Sequence, residues 1–461
     1  MTARTLSAQA PGTHGITPLQ ASLQASTDGG HAGKYGAVPG ESLPWQQGWR
    51  YGLMGLPLAF VALPLYVLLP NHYAREFGVP LASLGAVLLA VRLLDTVVDP
   101  LLGRWADQLR APQTTLNWAA AVGLLMCLGF CLLFFPPLAL QARASTLLPW
   151  LAGTLALTTL AFSALTIVHQ AWGARLGGNA LYRSRVVAWR EGLGLVGVLI
   201  ASIAPVAMGL PATAAFFIVA VGAGWLAWCG APRPLQLDAG PQPGFALRPV
   251  TLLHPWRHAA FRHLLAVFMV NGIASALPAT LLLFYVQDRL RAPASMEPVF
   301  LGSYFACAAL SIPLWLRCVP RWGLARTWAA GMLLAVAVFA FAAALDEGDA
   351  AWFVAVCALS GVALSTDLAL PAALLAGVIQ RSGDQQHAEG AYFGWWAFVS
   401  KLNLALAAGV ALPALGWLGY QPGATDAQAL QTLTLAYCVV PCLLKTCAAL
   451  LLYTLIIRKT P

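Results

Sequence analysis

Long apolar runs separated by short polar segments make up most of the chain from residue 52 onward. An α-helix needs roughly 20 apolar residues to cross the hydrocarbon core of a bilayer, and the runs are of about that length or longer. Twelve such runs occur, at about 52–71, 81–103, 115–137, 147–171, 187–208, 212–231, 263–287, 298–316, 327–345, 351–379, 391–415 and 430–456. The pattern predicts an all-α integral membrane protein with twelve transmembrane helices.

Two polar segments divide this pattern into a tail and two equal sets of helices. Residues 1–48 are rich in small and polar residues and lack the apolar core of a signal peptide, which predicts a disordered tail. Residues 232–261 contain several prolines and form the widest polar gap between runs. We therefore expect an N-terminal six-helix half at 49–231, a linker at 232–261 and a C-terminal six-helix half at 262–461.

The composition agrees with a membrane protein and excludes a soluble enzyme. Of the 461 residues 59% are hydrophobic and 9% are charged, and the mean hydropathy is +0.72. The 26 basic residues exceed the 17 acidic ones; 18 of them lie on the side of the two termini, 4 on the opposite side and 4 in or at the edges of spans. This bias predicts that both termini are cytoplasmic in a cell (inner) membrane, and it explains the basicity without nucleic acid. Membrane lipids are the expected surroundings.

Motifs of other function classes were not found in the sequence. The nine cysteines mostly stand alone in apolar runs, without the spacing of a zinc site or a disulfide scaffold. Neither a catalytic triad motif nor a phosphate-binding glycine loop is recognisable. We therefore expect no enzyme, no cofactor and no metal beyond a coupling cation. A membrane sensor that does not transport is the alternative class left open.

The second run carries three charged residues on one helical face. Arg92, Asp95 and Asp99 are three and four residues apart, so their side chains stack on one side of a helix. An ionised side chain inside a membrane has a high free-energy cost, so each such residue is a candidate functional residue. Two neighbouring acids repel each other, and a sodium ion or a proton relieves that repulsion. Pro100 leaves the carbonyl of Thr96 available as a further oxygen ligand. A purely structural Arg–Asp pair is the alternative.

Three further ionisable residues lie in spans of the C-terminal half. Lys401 has no acid within a helical turn, so we expect its partners to be Asp95 and Asp99 across a central cavity, with snorkelling as the alternative. Asp367 lies deep in the tenth run and is a candidate second protonation site, or else a hydrogen-bonded neutral group. Lys445 is expected to snorkel or to pack.

Candidate substrate contacts lie near the end of the fourth run and the start of the fifth. His169, Gln170 and Trp172 offer an amide and aromatic faces for a sugar, although a packed histidine is the more ordinary role for His169. Arg190 and Glu191 are adjacent and do not face each other on a helix, so each is expected to reach a different partner.

The second run resembles the signature of a known transporter family. It contains the motif Arg92-x-x-Asp95-x-x-x-Asp99-Pro100-x-x-Gly103. This motif resembles that of the glycoside–pentoside–hexuronide:cation symporters, typified by melibiose permease, and residues 182–190 and 389–402 are similar to two further family segments. The resemblance implies a major facilitator fold with two six-helix halves, in which the two acids form the cation site. It also implies that Lys401 lies nearby and that Arg190 lies beside the substrate.

Two positions depart from the melibiose-type pattern. Ala59 stands where the resemblance expects a sugar-binding acid, and Thr166 stands near the position of a further acid of the cation site, where its hydroxyl is a candidate ion ligand. We therefore expect sodium- or proton-coupled symport of a sugar, glycoside or uronate other than a melibiose-type galactoside. The carboxylate of a uronate would pair with Arg190 unless Glu191 or a backbone carbonyl is already its partner. A carrier of lysophospholipids or other amphiphiles is the alternative, because the same broader family includes such carriers and the first span is apolar.

Overall fold

The computed structural model of the chain describes residues 43–141, 144–234, 251–385, 387–420 and 423–459. Most of the predicted N-terminal tail and most of the predicted linker lie outside the described residues. The first described helix begins at Trp45, slightly before the predicted start of the N-terminal half at residue 49.

The described residues are predominantly α-helical, as the sequence predicts. The helices are α1 (Trp45–Gly52), α2 (Gly55–Leu63), α3 (Leu69–Glu76), α4 (Leu81–Ala106), α5 (Pro112–Phe134), α6 (Leu138–Gln141), α7 (Ala144–Arg175), α8 (Ala180–Cys229), α9 (Ala259–Phe284), α10 (Glu297–Ala342), α11 (Ala350–Arg381), α12 (Glu389–Trp417), α13 (Ala427–Thr434) and α14 (Val440–Leu455). Short π-helical segments continue α2, α9 and α13 at Pro64–Leu68, Tyr285–Arg289 and Leu435–Val439. Each of the twelve predicted runs coincides with helical structure.

Two of the long helices contain a glycine break that separates two predicted runs. Gly209 in α8 and Gly323 in α10 have φ values of 76° and 75°, a left-handed conformation that residues with a β-carbon rarely adopt. Within the described residues, eight helical stretches are both long and apolar enough to cross a membrane. The helices α4 and α12, with 26 and 29 residues, are also long enough.

Among the described residues, six helices carry the main contacts between the first and second sets of spans. Helix α4 packs against α7 of its own half and against α12 of the other half, and α12 also contacts α7. Helix α8 packs on α2 within its half and on α10 and α11 across the halves. The charged face of α4 is therefore enclosed between α7 and α12, which places its acids at the boundary between the halves.

Glycines allow α4 and α12 to approach closely near the end of α4. A β-carbon added to Gly103 would lie 2.1 Å from the carbonyl oxygen of Gly390 and 2.8 Å from the Cα of Gly394. A β-carbon on Gly390 would in turn lie 2.1 Å from the carbonyl oxygen of Gly103. Because backbone atoms cannot move aside cheaply, this contact depends on small residues, as in other membrane helix pairs.

The close contact predicts different effects for two glycines of the same helix. Gly103→Ala should lower the free energy of unfolding by about 1–3 kcal/mol, because the added methyl group overpacks the contact with α12. Gly85→Ala is the matched control, since nothing lies within 4 Å of the added β-carbon there, and it should be neutral or slightly stabilising. Thermal unfolding of the purified protein in detergent measures both. Equal effects of the two changes would contradict the prediction.

Candidate functional site

A lysine from one half contacts two buried acids of the other half. Asp95 and Asp99 lie one turn apart on α4, and their side chains are 1% and 0% exposed. The Nζ atom of Lys401 on α12 lies 2.7 Å from Oδ2 of each acid. The predicted proximity of Lys401 to the two acids is confirmed. Snorkelling of Lys401 is not what the structure shows.

A hydroxyl of α7 completes this cluster. Ser163 donates a hydrogen bond from Oγ to Oδ1 of Asp95 at 2.7 Å and accepts one from Lys401 at 2.8 Å. Ser163 was not among the residues predicted from the sequence, whereas Thr166, the predicted hydroxyl ligand, lies on the same helix three residues later. Among the described residues, the buried Oγ1 of Thr166 has no hydrogen-bond partner. The position of Thr166 could have indicated Ser163 as well, because residues three apart share a helical face.

Arg92 lies one turn before Asp95, and both residues line a cavity. The cavity has a volume of about 230 Å³ and is bounded by α4, α7 and the first span, with Leu65 and Thr159 among its lining residues. The hydroxyl of Thr96 donates to the carbonyl oxygen of Arg92 at 2.7 Å. The acid cluster therefore borders open space on the side of Arg92.

When both acids are ionised, the Lys401 ammonium group contacts both carboxylates, and Arg92, a further cation, lies one helical turn from Asp95. A proton or a small cation bound to the carboxylates would compensate their negative charge when the ammonium group moves away. A hydroxyl such as that of Ser163 is a suitable neutral ligand for such a cation. The geometry can therefore exchange a tethered cation, the Lys401 ammonium, for a mobile one.

A second buried ion pair lies within the C-terminal half. Lys445 is buried, and its Nζ atom lies 2.8 Å from Oδ2 of Asp367 and 3.0 Å from Oδ1 of Asn271. Asp367 also accepts hydrogen bonds from Asn271, Ser275 and Trp328 at 3.0, 3.2 and 2.8 Å. Of the two expected roles of Lys445, snorkelling and packing, the structure shows a packed, buried side chain, because an acid on a neighbouring helix gives its ammonium group a partner.

This ion pair borders a largely apolar cavity between α9, α10, α11 and the last span. The cavity has a volume of about 310 Å³, and aromatic residues such as Tyr304 and Phe339 line it together with Asp367 and Lys445. Ser360 also lines it, and within the described residues its buried hydroxyl has no hydrogen-bond partner. The space suits an apolar group with a polar end.

The structure pairs Arg190 with the residue next to it. The Nε atom of Arg190 donates to Oε1 of Glu191 at 3.1 Å, and Nη2 forms a shorter ion pair with the same oxygen. The expectation of separate partners was wrong, because the guanidinium group of Arg190 lies within hydrogen-bond distance of the adjacent carboxylate. Arg190 and Gln170 line one small cavity of about 10 Å³ together with Phe393, which has no room for a sugar.

His169 and Trp172 lie in the packed interior. The ring of His169 stacks on Tyr51 with a centroid distance of 4.3 Å, and its Nε2 atom lies 3.0 Å from the carbonyl oxygen of Tyr51. Trp172 packs edge-on against Trp228 and donates from Nε1 to the carbonyl oxygen of Pro232 at 3.0 Å. Both side chains already have partners and pack within the N-terminal half.

A second charged network joins the halves where α4 ends. We call the region of Asp107, Arg175 and Glu389 the Asp107 end. The Nη2 atom of Arg175 lies 3.6 Å from Oδ1 of Asp107, and its Nε atom lies 3.3 Å from Oε2 of Glu389, the first residue of α12. The amides of Gly390 and Ala391 donate to Asp107 at 2.6 and 2.9 Å. Burial raises the pKa of Asp107 to about 7 in spite of Arg175 and these amides. This network was not predicted from the sequence, because its members lie in three separate parts of the chain.

The geometry of two acids and a lysine between helical halves agrees with the sequence family of the chain. The family model described as MFS/sugar transport protein matches residues 50–459. The chain belongs to this family. It is the melibiose permease-like family of the major facilitator superfamily, so the chain is a multi-pass membrane protein and a secondary transporter, not an enzyme. Among curated proteins, none matches the sequence.

Solved transporters share the fold at low sequence identity. A bacterial homologue of the iron transporter ferroportin in the outward-facing state is 16% identical with a TM-score of 0.65, and the match covers 90% of this chain and 99% of that one. The E. coli fucose:proton symporter is 14% identical (TM-score 0.62; coverage 87% and 98%), and the human organic anion transporter MFSD10 is 18% identical (0.61; 87% and 100%). At these identities the likeness shows the fold alone.

The ion pairs of the Asp107 end predict that removal of Arg175 lowers the free energy of unfolding by a large amount. Arg175→Gln leaves Asp107 and Glu389 buried without their cation, so we expect a loss of about 3–5 kcal/mol of stability, seen as a lower unfolding temperature in detergent. Adding Asp107→Asn and Glu389→Gln should restore part of the loss. The control Glu347→Gln, in an ion pair where that side chain is 63% exposed, should cost at most about 1 kcal/mol. Wild-type stability of Arg175→Gln would refute the prediction.

Proposed function

We propose that the protein is a cation-coupled symporter for a sugar, glycoside or uronate, working by alternating access. The observation that carries the proposal is the contact of Lys401 with both Asp95 and Asp99 across the halves. Family membership supports a small solute as cargo, whereas the coupling and the solute class are inferences from the residues.

The coupling mechanism follows from which half supplies each charge. The acids and Ser163 belong to the N-terminal half, whereas Lys401 belongs to the C-terminal half. When a sodium ion or a proton binds to Asp95 and Asp99, it replaces the attraction that Lys401 provides and releases a contact between the halves. Because binding energy can shift a conformational equilibrium only by a difference in affinity between its states, this competition links ion binding to the movement of the halves.

The solute site is proposed to form where the halves part beside Arg190 and Gln170. Both residues line the small cavity together with Phe393 of α12 and Ala372 and Ala376 of α11, so separation of α11 and α12 from α8 would enlarge it. Arg190 can exchange Glu191 for the carboxylate of a uronate in a bidentate pair, and Gln170 can bond hydroxyl groups. Ala59 faces α8 near Gly194, one turn after Arg190, and offers no charge for a melibiose-type contact.

The second candidate function is transport of a lysophospholipid or another single-chain amphiphile. The apolar cavity of about 310 Å³ beside Lys445 favours it, because such a space fits an acyl or aryl group next to a cationic end. In this alternative Arg190 would contact the headgroup. Asp367 is retained as a candidate second protonation site in either case.

We further propose that both termini face the cytoplasm from the inner membrane, which the distribution of basic residues supports.

The coupling proposal predicts separate effects on accumulation and exchange. Asp95→Asn and Asp99→Asn should each abolish uphill solute accumulation in proteoliposomes, because the coupling ion loses a carboxylate ligand, while exchange down a gradient survives. Imposing a sodium or a proton gradient in turn identifies the ion. Asp346→Asn is the control, since that carboxylate is 68% exposed and distant in sequence from the cluster. Full accumulation in either cluster variant would refute the assignment, and binding without accumulation in the wild type would indicate a sensor.

The two solute classes predict opposite results in a competition assay. Counterflow of a labelled solute should be inhibited by monosaccharides, glycosides or uronates if the first proposal is right. Arg190→Lys should then weaken inhibition by uronates more than by neutral sugars, because lysine loses the bidentate geometry. Inhibition by lysophospholipids alone would overturn the sugar proposal in favour of the second candidate.

A further inference from the structure

A cluster of metal-ligating side chains lies away from the charged spans, where the linker meets the C-terminal half. The Nε2 atom of His254 lies 2.8 Å from Oδ1 of Asp384, and the Nε2 atom of His258 lies 3.2 Å from Oδ2. All three ligand atoms lie within 4.8 Å of one another. From these groups we infer that His254, His258 and Asp384 bind a divalent first-row transition metal ion, of which Zn²⁺ is the favoured one.

The distances fit a metal site with little rearrangement. Zinc binds imidazole nitrogen and carboxylate oxygen at about 2.0–2.2 Å, so two ligands of one tetrahedral ion lie roughly 3.3 Å apart. The two nitrogen–oxygen distances in the cluster, 2.8 Å to one carboxylate oxygen and 3.2 Å to the other, are slightly below that value, so the groups need to separate only a little to admit an ion. Three protein ligands leave a coordination position for water, as in zinc sites that are open to solvent.

The two histidines are spaced and held as metal ligands often are. They flank a short 3₁₀ turn, Pro255–Arg257, in the spacing His-x-x-x-His that recurs in zinc sites. The turn is anchored on α12, because Trp256 packs edge-on against Trp395 at 5.2 Å and Trp395 donates to the carbonyl oxygen of Leu252 at 2.9 Å. Both imidazoles are therefore presented by a fixed backbone and not by a free loop.

A neighbouring hydroxyl orients the carboxylate. Tyr392 on α12 donates a hydrogen bond to Oδ2 of Asp384 at 2.6 Å, the kind of outer contact that orients a metal ligand. The side chains of His254, His258 and Asp384 are 29%, 31% and 13% exposed, so an ion can enter from solvent. Imidazole ligands select zinc, copper, nickel or iron over magnesium and calcium, which prefer oxygen alone.

A bound ion would tie the linker end to the start of α12. His254 and Asp384 are 130 residues apart in sequence, so no sequence spacing indicates that they lie together. Glu389, which joins the halves through Arg175, lies five residues after Asp384. The ion would thus fix the segment from which α12 begins, at a distance in sequence from the transport residues Lys401 and Arg190.

The test is direct metal binding by the full chain without a histidine tag. After removal of metals with a chelator, calorimetric titration of the detergent-purified protein with Zn²⁺ should show one ion per chain that excess Mg²⁺ does not displace. His254→Gln with His258→Gln should weaken binding at least tenfold. Glutamine can still donate to Asp384 but is a poor zinc ligand, so the fold is kept while the ligands are lost. Asp384→Asn should weaken binding to a similar extent.

Two further variants separate a site from unspecific binding. His387→Gln changes an exposed histidine of the same loop and should leave the affinity unchanged, whereas Tyr392→Phe should weaken it about 10- to 100-fold by releasing the carboxylate. Co²⁺ bound to the wild type should give the visible absorption of a tetrahedral site. No zinc binding by the wild type, or equal affinity in the double glutamine variant, would overturn the proposal and leave a hydrogen-bonded His–Asp cluster. Neither result depends on transport.

Discussion

One ammonium group shared by two buried carboxylates is the interaction on which the arrangement of the spans depends. In a bilayer an ionised side chain is costly, so Asp95 and Asp99 can lie in α4 only where other groups compensate their charge. Lys401 and Ser163 do so from α12 and α7, which therefore enclose the charged face of α4. A helix that would be too polar for lipid becomes the centre of the contact between the halves.

A cation shared by two acids is also found at the Asp107 end. There Arg175 of the N-terminal half lies between Asp107 of its own half and Glu389 of the other. The close glycine contact of α4 with α12 lies between the two networks along α4. Separation of the halves must break the ion pairs of the Asp107 end and the glycine contact. Both therefore oppose separation of the halves until another interaction replaces them.

The ion pair of Asp367 and Lys445 has a different character. It is a one-to-one pair within one half, and Asn271, Ser275 and Trp328 supply further hydrogen bonds to its carboxylate. Its charges therefore balance without a contact to the other half. This difference directs attention to the Lys401 cluster as the place where an ion can alter the relation of the halves, and to Asp367 as a group that borders a cavity.

The sequence alone determined the number and position of the spans and the charged face of α4, because both depend on hydrophobicity and on a helical period of about 3.6 residues. It also gave Lys401 as a cation in need of an acid. Hydrophobic runs specify that a helix lies in the membrane, but they do not specify its rotation or its neighbours. Only the tertiary structure could therefore decide contacts such as Ser163 with Lys401, 238 residues apart, or Asp107 with Gly390, 283 residues apart. For the same reason only the structure shows that Lys445 has a buried partner, that Arg190 pairs with Glu191 and that His254 lies beside Asp384. Charged groups in a protein interior pair with the groups that the fold places near them.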